Sequence, residues 1–567
     1  DCGKSYTRKD NLIRHKNNFC KYKENKEYIK DDDELTNKQK YDLLEKEFNI
    51  LKANQEKLVN LLMKKEEHEK TITNNTNNTN NTIQAFWVSL GSLFAFGFGI
   101  LSSIILSRYF SKKDYGTYKQ VLYVYNTMLS VFTLGLPKAF SYFLPRTPVT
   151  QAKNLIKKLT NLFLLLGGCF SIILLIFSPQ LAAILKNPDL TLAIRIFSPV
   201  PLFLLPTLGL EGILASYHKT QFIAVYTILN NIFKILCVAL PVVIFNGGYI
   251  QAIIGFVVAS FISFLIALYL KFLPVRNEAN EKCTISYKEI FRFSLPLMLA
   301  SLWGTLIGSI DQFFISRYFG TEIFAEFSNG SMELPFVGMI IGATSTVLMP
   351  LFSKKVHEEA DPKKEILPVW INVFEKTAKI VYPLVIYSWF FADIIMAFLY
   401  GGKYSTSAIY FRIKLFDNLF KLVAYAPLIL ALGATKYYSN VIMISAIILV
   451  PLEYISIFIF HSPYVITIIS VICLIGRTFA FLSFIARFFQ IRIIDLFPLK
   501  LLTRITLPSL CILALVRYIV IRLLSLSNFF SLLITLTIYL CLYGIWAYID
   551  KIDYISMIKP LVKKDNP

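Results

Sequence analysis

The tetrapeptide Ser107-Arg108-Tyr109-Phe110 recurs as Ser316-Arg317-Tyr318-Phe319, and each copy stands at the end of a long apolar run. Four further pairs match at the same offset: Leu106 with Ile315, Tyr115 with Phe324, Gly116 with Ala325 and Tyr118 with Phe327. Two more pairs match at a slightly larger offset: Arg195 with Arg412 and Lys219 with Lys436. A chance tetrapeptide is the alternative, and the collinear matches count against it. We therefore interpret this part of the chain as two similar halves in parallel order, a common plan for alternating-access transporters.

The composition is that of a polytopic membrane protein. Of the 567 residues, 55% are hydrophobic and 17% are charged, whereas soluble domains have about 25% charged residues. A net charge of +21 would suggest nucleic-acid binding in a soluble chain. Here most Lys and Arg residues lie in loops and tails, where the positive-inside rule places them. The eight cysteines are scattered along the chain, so we predict no disulfide framework.

Long apolar segments fill the chain after residue 85. A bilayer-spanning helix needs about 20 mostly apolar residues, and about fourteen segments meet that length. Their approximate ranges are 86–108, 119–143, 158–178, 192–214, 221–245, 250–272, 292–315, 324–350, 375–399, 407–432, 438–460, 464–488, 502–524 and 528–549. The loops after even-numbered segments are the more basic, which predicts that both termini are cytoplasmic. The first odd loop, with Lys112 and Lys113, is an exception.

These patterns predict an all-α polytopic membrane protein with two parallel six-helix repeats and two additional C-terminal helices. The predicted parts are a first lobe at 84–273, a cytoplasmic linker loop at 274–290, a second lobe at 291–490, and two C-terminal helices with a basic tail at 491–567.

Residues 1–83 are a different kind of sequence. Residues 1–20 resemble the second half of a C2H2-type zinc finger, with Cys2, His15 and Cys20 as its ligands. A closed zinc site takes four ligands, so we expect zinc only if an upstream Cys completes the finger. Residues 38–70 have the a/d pattern of a short coiled coil, and residues 71–83 form an Asn/Thr-rich low-complexity linker.

The chain begins at Asp1 rather than Met, so we expect it to be a fragment at its N-terminus. The abrupt change near Ile83 fits either a natural fusion or a join between unrelated sequences. We therefore assign no common mechanism to the two parts.

Ionisable side chains within the apolar segments are the main functional signal. Each costs at least about 2.5 kcal/mol at the bilayer centre and persists where it faces a cavity or a partner. The candidates for a cavity that binds an anionic head group are Lys138, Arg195, Lys234, Arg412 and Lys421. An excess of cations suits a phosphate or pyrophosphate group.

Two alternatives follow from position in the repeat and spacing along a helix. Arg195 and Arg412 hold corresponding positions, so they would line one central cavity if the halves pack face to face. Lys414, Asp417 and Lys421 are spaced three and four residues apart, so they could instead pair with each other on one helix face.

Asp311 and Glu333 are the candidates for ion coupling. A carboxylate in a low-dielectric environment can exchange a proton near neutral pH, and it could also bind sodium. The alternative is a structural salt bridge, for example with Arg317 or a cavity lysine. The chain has no G-x-x-x-x-G-K-[ST] motif, so we expect neither direct ATP drive nor a cofactor for transport. It has no defensible nucleophile–base set, so we expect a transporter rather than an enzyme.

Several stretches resemble bacterial polysaccharide-biosynthesis flippases. In the first half they are Trp87-Val-Ser-Leu-Gly-Ser-Leu-Phe94, Leu106-Ser-Arg-Tyr-Phe-Ser-Lys-Lys-Asp-Tyr-Gly-Thr-Tyr118 and Leu134-Gly-Leu-Pro-Lys138. In the second half they are Asp311-Gln-Phe-Phe-Ile-Ser-Arg-Tyr-Phe-Gly320 and Phe336-Val-Gly-Met-Ile-Ile-Gly-Ala-Thr-Ser345. The family is part of the multidrug/oligosaccharidyl-lipid/polysaccharide exporter superfamily. Residues 1–83 resemble proteins of large DNA viruses instead.

The resemblance implies two V-shaped six-helix lobes and the flipping of an undecaprenyl-diphosphate-linked oligosaccharide across the cytoplasmic membrane for surface polysaccharide. It implies the lipid-linked oligosaccharide, membrane lipids, a polysaccharide polymerase and glycosyltransferases as partners, with no nucleic acid for the membrane part. The alternatives are a small-molecule or multidrug exporter of the same fold and a membrane-tethered nucleic-acid-binding protein that uses the N-terminal finger. The cavity candidates come from the charge pattern, because the family motifs carry no fixed set of binding residues.

Overall fold

A computed structural model describes residues 87, 90–334, 337–359, 361–422, 425–523 and 527–554. The predicted zinc ligands Cys2, His15 and Cys20, the coiled coil and the Asn/Thr-rich linker lie outside the described residues. These three features therefore stay predictions. Within the described ranges every regular element is helical, which confirms the all-α prediction.

The first half consists of nine described α-helices, several of them broken at proline or glycine. They are α1 Leu90–Tyr109, α2 Lys112–Phe132, α3 Pro137–Phe143, α4 Val149–Ile184, α5 Leu190–Phe197, α6 Val200–Leu204, α7 Leu210–Ser216, α8 Thr220–Phe245 and α9 Tyr249–Phe272.

The second half and the C-terminal region continue the pattern. Their described helices are α10 Tyr287–Phe319, α11 Thr321–Gly330, α12 Val337–His357, α13 Leu367–Phe390, α14 Ala392–Tyr400, α15 Ser407–Asn418, α16 Tyr425–Ala431, α17 Thr435–Phe460, α18 Pro463–Phe489, α19 Leu499–Leu523 and α20 Asn528–Ile549. The predicted linker loop at 274–290 falls between α9 and the first turn of α10.

Local chemistry explains where the central helices start and break. The Ser111 side chain accepts a hydrogen bond from the Asp114 backbone N–H and caps α2, and Ser286 accepts one from Glu289 to cap α10. Hydroxyl side chains are favoured at this position because they satisfy free N–H groups of the first turn. Between α2 and α3, Gly135 adopts a left-handed conformation with φ of 68°, and a side chain there would also meet the Ser294 backbone of α10.

Ten described helices are long and apolar enough to cross a membrane, or up to eleven if one bent pair counts as a single span. That pair, Pro362–Phe390 and Ala392–Tyr400, bends by 76°. Three other predicted segments, 119–143, 324–350 and 407–432, are each divided between two described helices. The chain is a polytopic membrane protein, while the count of about fourteen spans stays a prediction.

The two halves are packed in a similar way. In the first half α8 packs against α9, and in the second half α17 packs against α18. The halves meet where α2 runs beside α10 and α11. Of the C-terminal helices, α19 packs against α13, and α20 packs against α14 and α19.

Candidate functional site

Two polar cavities adjoin at the contact between the halves. The smaller has a volume of about 480 Å³ and is lined by α2, α10, α11 and the residue after α11. The larger has a volume of about 920 Å³ and lies within the second half, between α10, α12, α15, α16, α17 and α18. Gly308, Gln312, Phe327 and Ser331 line both cavities, so the two adjoin.

Charged side chains of both signs line the larger cavity: Asp311, Glu333, Lys414, Asp417, Lys421 and Arg477. The Lys414 ammonium donates to Asp311 Oδ2 at 2.7 Å and to Ser470 Oγ at 3.3 Å. Ser470 in turn donates to the same Asp311 oxygen at 3.4 Å. Asp311 therefore forms a salt bridge with a cavity lysine, which was the alternative to a role in ion coupling.

The remaining charges of the larger cavity are arranged around Asp417. Lys421 forms an ion pair with Asp417 one turn earlier on the chain, as their spacing predicts. Arg477 lies on α18 within electrostatic range of Asp417, and it has no hydrogen-bonded carboxylate among the described residues. Glu333 is exposed to the cavity.

Four of the predicted cavity cations lie elsewhere. Lys138 is exposed on α3, Arg195 donates to Ser178 Oγ at 3.2 Å within the first half, and Lys234 lies 5.4 Å from the Phe256 ring centroid. None of these three lines either of the two cavities. Their assignment to the substrate cavity stays a prediction.

Arg412 also lies away from both cavities. Its guanidinium is 3.1 Å from Asp393, and the same carboxylate binds Arg517 of α19 at 2.8 Å. The structure thus does not bring Arg195 and Arg412 together, because each contacts a partner on its own side of the molecule. The network around Asp393 instead attaches the C-terminal helices to the second half.

The smaller cavity has polar lining residues that the sequence interpretation missed, among them Lys119, Asn126 and Gln312. Lys119 stood at the first residue of a predicted span, but α2 begins at Lys112, so Lys119 lies two turns inside the helix. The S-x-x-D pattern that starts at Ser111 is a helix-start signal that could have revealed this. The Lys119 ammonium donates to Ser103 Oγ at 3.1 Å, and it forms no described ion pair.

The repeated tetrapeptide connects the halves at one end. Arg108, from the first copy, donates to the Leu399 carbonyl oxygen at 3.3 Å and to that of Phe398, both in the last turn of α14. Lys403, just beyond α14, donates to the carbonyl oxygens of Arg108 and Phe110. Basic side chains at the C-terminal end of a helix donate to its free carbonyl oxygens and interact favourably with the negative end of the helix dipole.

The second copy makes the reciprocal contact. Arg317 donates to the carbonyl oxygen of Ile184, the last residue of α4 in the first half. Lys186, just beyond α4, lies 5.6 Å from the Tyr318 ring centroid. Each half therefore caps a helix of the other half with the arginine of its own repeat.

The basic residues of the first odd loop now have an explanation. Lys112 is 2.5 Å from Glu326 of the second half, and Lys113 is 2.7 Å from Asp189. The Asp189 carboxylate accepts a hydrogen bond from Lys113 and raises its pKa above the ordinary lysine value. These two lysines depart from the loop-charge pattern because they are used in ion pairs near the contact between the halves.

Hydrogen bonds hold α2 against the second half. Tyr115 donates to Asn329 at 2.8 Å, and Gln120 donates to Ser316 at 2.7 Å. Between them Gly116 packs so closely on the Thr321 backbone that no side chain would fit. Small residues at such contacts let membrane helices approach closely.

Residues 83–356 match the family model described as Polysaccharide biosynthesis protein. The chain is 28% identical over 260 residues to the Capsular polysaccharide biosynthesis protein CapF of Staphylococcus aureus, covering 44% of this chain and 63% of CapF. The chain thus spans a little under two thirds of CapF. It is also 21% identical over 285 residues to an uncharacterised membrane protein of Methanocaldococcus jannaschii, covering 48% of this chain and 67% of that protein.

The fold is similar to that of solved flippases and exporters. Lipid II flippase MurJ in an inward closed conformation has a TM-score of 0.64 at 16% identity, covering 84% of this chain and 99% of MurJ. An inward-facing multidrug resistance MATE family transporter of the MOP superfamily has a TM-score of 0.57 at 14% identity, covering 69% and 94%. The match over residues 83–356 confirms the resemblance to polysaccharide-biosynthesis proteins, and the fold supports the multi-pass membrane architecture.

Proposed function

We propose that this protein flips an undecaprenyl-diphosphate-linked oligosaccharide across the cytoplasmic membrane for the synthesis of a surface polysaccharide. The family match and the fold support a membrane transporter of polysaccharide precursors. The observation that carries the finer proposal is the polar cavity that runs from the α2–α10 contact into the second half. A sugar chain with a charged head group needs such a path, because polar groups are costly in the lipid core.

The head group and the sugars would use different lining residues. Lys119 and Arg477 carry positive charge that is not neutralised by a direct ion pair with a described residue, so they are the cavity cations most able to bind a diphosphate. Lys421 is a weaker candidate because it already pairs with Asp417. Asn126 and Gln312 offer amide groups for the hydroxyls of sugars.

Access would alternate as the halves move about the α2–α10 contact. In this structure the reciprocal arginine caps at Arg108 and Arg317 hold the two halves together at one end of the molecule. Opening of that end requires these caps to separate, while binding and release of a coupling ion near Asp311 or Glu333 would bias the movement. Glycosyltransferases would supply the substrate, and a polymerase would use the flipped product.

Complementation tests the proposal. We would express the full chain, with an added start Met, in bacteria that lack their own O-unit flippase and measure surface polysaccharide in a panel of hosts with different glycans. We expect restoration in at least one host. Lys119→Ala and Arg477→Ala should lower it severalfold, and Lys436→Ala, at an exposed position in the first turn of α17, should not.

A multidrug exporter of the same fold is the second candidate, favoured by the acidic side chains Asp311, Glu333 and Asp417 in the larger cavity. A drug-efflux assay in the same strains separates the two functions. Export of cationic dyes without any restored polysaccharide, by protein shown to be in the membrane, would contradict the flippase proposal.

A further inference from the structure

Glu453 is a buried carboxyl group without a partner in the core of the second half. It lies on α17 and is 0% exposed, and neither of its side-chain oxygens has a hydrogen-bond partner among the described residues. An ionised carboxylate in such a place is strongly disfavoured, whereas the neutral acid is tolerated. The fold therefore holds Glu453 where its protonation state matters.

Two charged side chains, Asp311 and Lys414, interact electrostatically with Glu453. Asp311 and Lys414 are joined at 2.7 Å, and Ser470 completes the contact from α18. A lysine ammonium has three N–H donors, of which Lys414 uses two here. One donor is thus left for a second carboxylate.

The titratable groups around Glu453 come from helices of the second half. Helix α17 packs against α10, α16 and α18. Asp311 on α10, Lys414 on α15 and Cys473 on α18 lie within electrostatic range of Glu453. Helix α16 contributes Tyr425 as its titratable side chain.

We propose that Asp311, Lys414 and Glu453 form a binding site for one exchangeable proton, with the Lys414 ammonium as a built-in cation. With the proton on a Glu453 oxygen, the charges of the three groups sum to zero. When the proton leaves, the sum becomes one negative charge, and the free Lys414 donor turns to Glu453 so that the ammonium is shared by two carboxylates.

The groups around Glu453 connect it to the larger cavity. Asp311, Lys414 and Ser470 line the larger cavity, so a proton that leaves Glu453 would reach the cavity through this cluster. The inference rests on the proposed transport function, for which it names the proton as the coupling ion. A sodium ion would need the oxygens of Asp311 and Ser470 as ligands, and both already accept hydrogen bonds from the Lys414 ammonium.

Infrared spectroscopy of the purified full chain in nanodiscs tests the site without substrate or transport. The carbonyl stretch of a protonated carboxyl group is separate from that of a carboxylate. We expect this band in the wild type at neutral pH and its loss in Glu453→Gln. Asp311→Asn should weaken the band at least twofold, because Lys414 released from residue 311 will pair with ionised Glu453. Glu211→Gln, at an exposed position on α7, is the matched control and should keep the band.

Three outcomes overturn the proposal. They are no band in the wild type, a band that survives Glu453→Gln, and loss of the wild-type band when NaCl but not KCl is added at constant pH. If Glu453→Gln does not fold, an unchanged band in Asp311→Asn is decisive against the site. Failed complementation with the expected band would count against flipping alone and leave the proton site standing.

Discussion

Cations within the helices have different partners in the two halves. In the first half, Lys271 donates to a backbone carbonyl oxygen at 2.7 Å, and Arg195 donates to Ser178 at 3.2 Å. In the second half, Lys414 pairs with Asp311 at 2.7 Å. Neutral partners leave positive charge uncompensated, whereas carboxylate partners cancel it. The halves have similar helix packing, but these three cations differ in the charge of their partners.

This difference suggests a division of labour. The first half contributes Lys119 to the smaller cavity, where its positive charge suits the anionic head group of the proposed substrate. The second half is close to neutral in its core, so the gain or loss of one proton changes its charge substantially. By contrast the ends of both halves are alike, since Arg108 and Arg317 cap helices of the opposite half.

The largest expected effect comes from Lys414→Met. Removal of the ammonium leaves the Asp311 carboxylate buried without its cation, and loss of one member of a buried ion pair costs about 3–5 kcal/mol. We expect a matching loss of stability, measured as the unfolding midpoint of the full chain in detergent. The double variant with Asp311→Asn should regain most of it, because no charge is then left unpaired. If Lys414→Met is as stable as the wild type, the Lys414–Asp311 pair does not behave as a buried ion pair.

Lys271→Met probes the first half in the same way. Lys271 is 0% exposed, but its partner is the neutral Leu208 carbonyl, so its removal leaves no charge behind. The lost hydrogen bond is partly offset by relief from burying an ammonium, and we expect a net loss of about 1 kcal/mol. The comparison between halves fails if this variant unfolds as readily as Lys414→Met.

The sequence predicted much of the fold but less of the candidate site. Apolar segment length and the repeat around Arg108 and Arg317 predicted the helices and the two halves. The Asp417–Lys421 pair followed from helix spacing. The Asp311–Lys414 pair joins side chains 103 positions apart, and no local pattern fixes such a contact. For Arg412, position in the repeat predicted a place beside Arg195 in a central cavity, whereas its side chain pairs with Asp393 away from both cavities.

The reciprocal caps should give an intermediate effect. Arg108→Ala or Arg317→Ala removes charge-assisted hydrogen bonds to helix carbonyls, and each should cost about 1–2 kcal/mol. Arg108→Lys should recover only part, since one ammonium cannot reproduce a planar fork on two carbonyl oxygens. Unfolding midpoints with exposed Lys436→Ala as the control check this. No measurable loss from either arginine would show that the caps do not hold the halves together.

The smallest effect is expected at the exposed pair of Lys113 and Asp189. Because Asp189 raises the pKa of Lys113 in the folded chain, the pair stabilises the protein at pH values below the ordinary lysine pKa of about 10.4. That contribution is lost as the pH rises through the raised value. Unfolding midpoints of wild type and Asp189→Asn should therefore differ slightly at neutral pH and converge in strong alkali. They should also converge at high salt, since solvent ions screen exposed pairs. A difference that persists under both conditions would mean that Asp189 acts through packing at the start of α5 rather than through its charge.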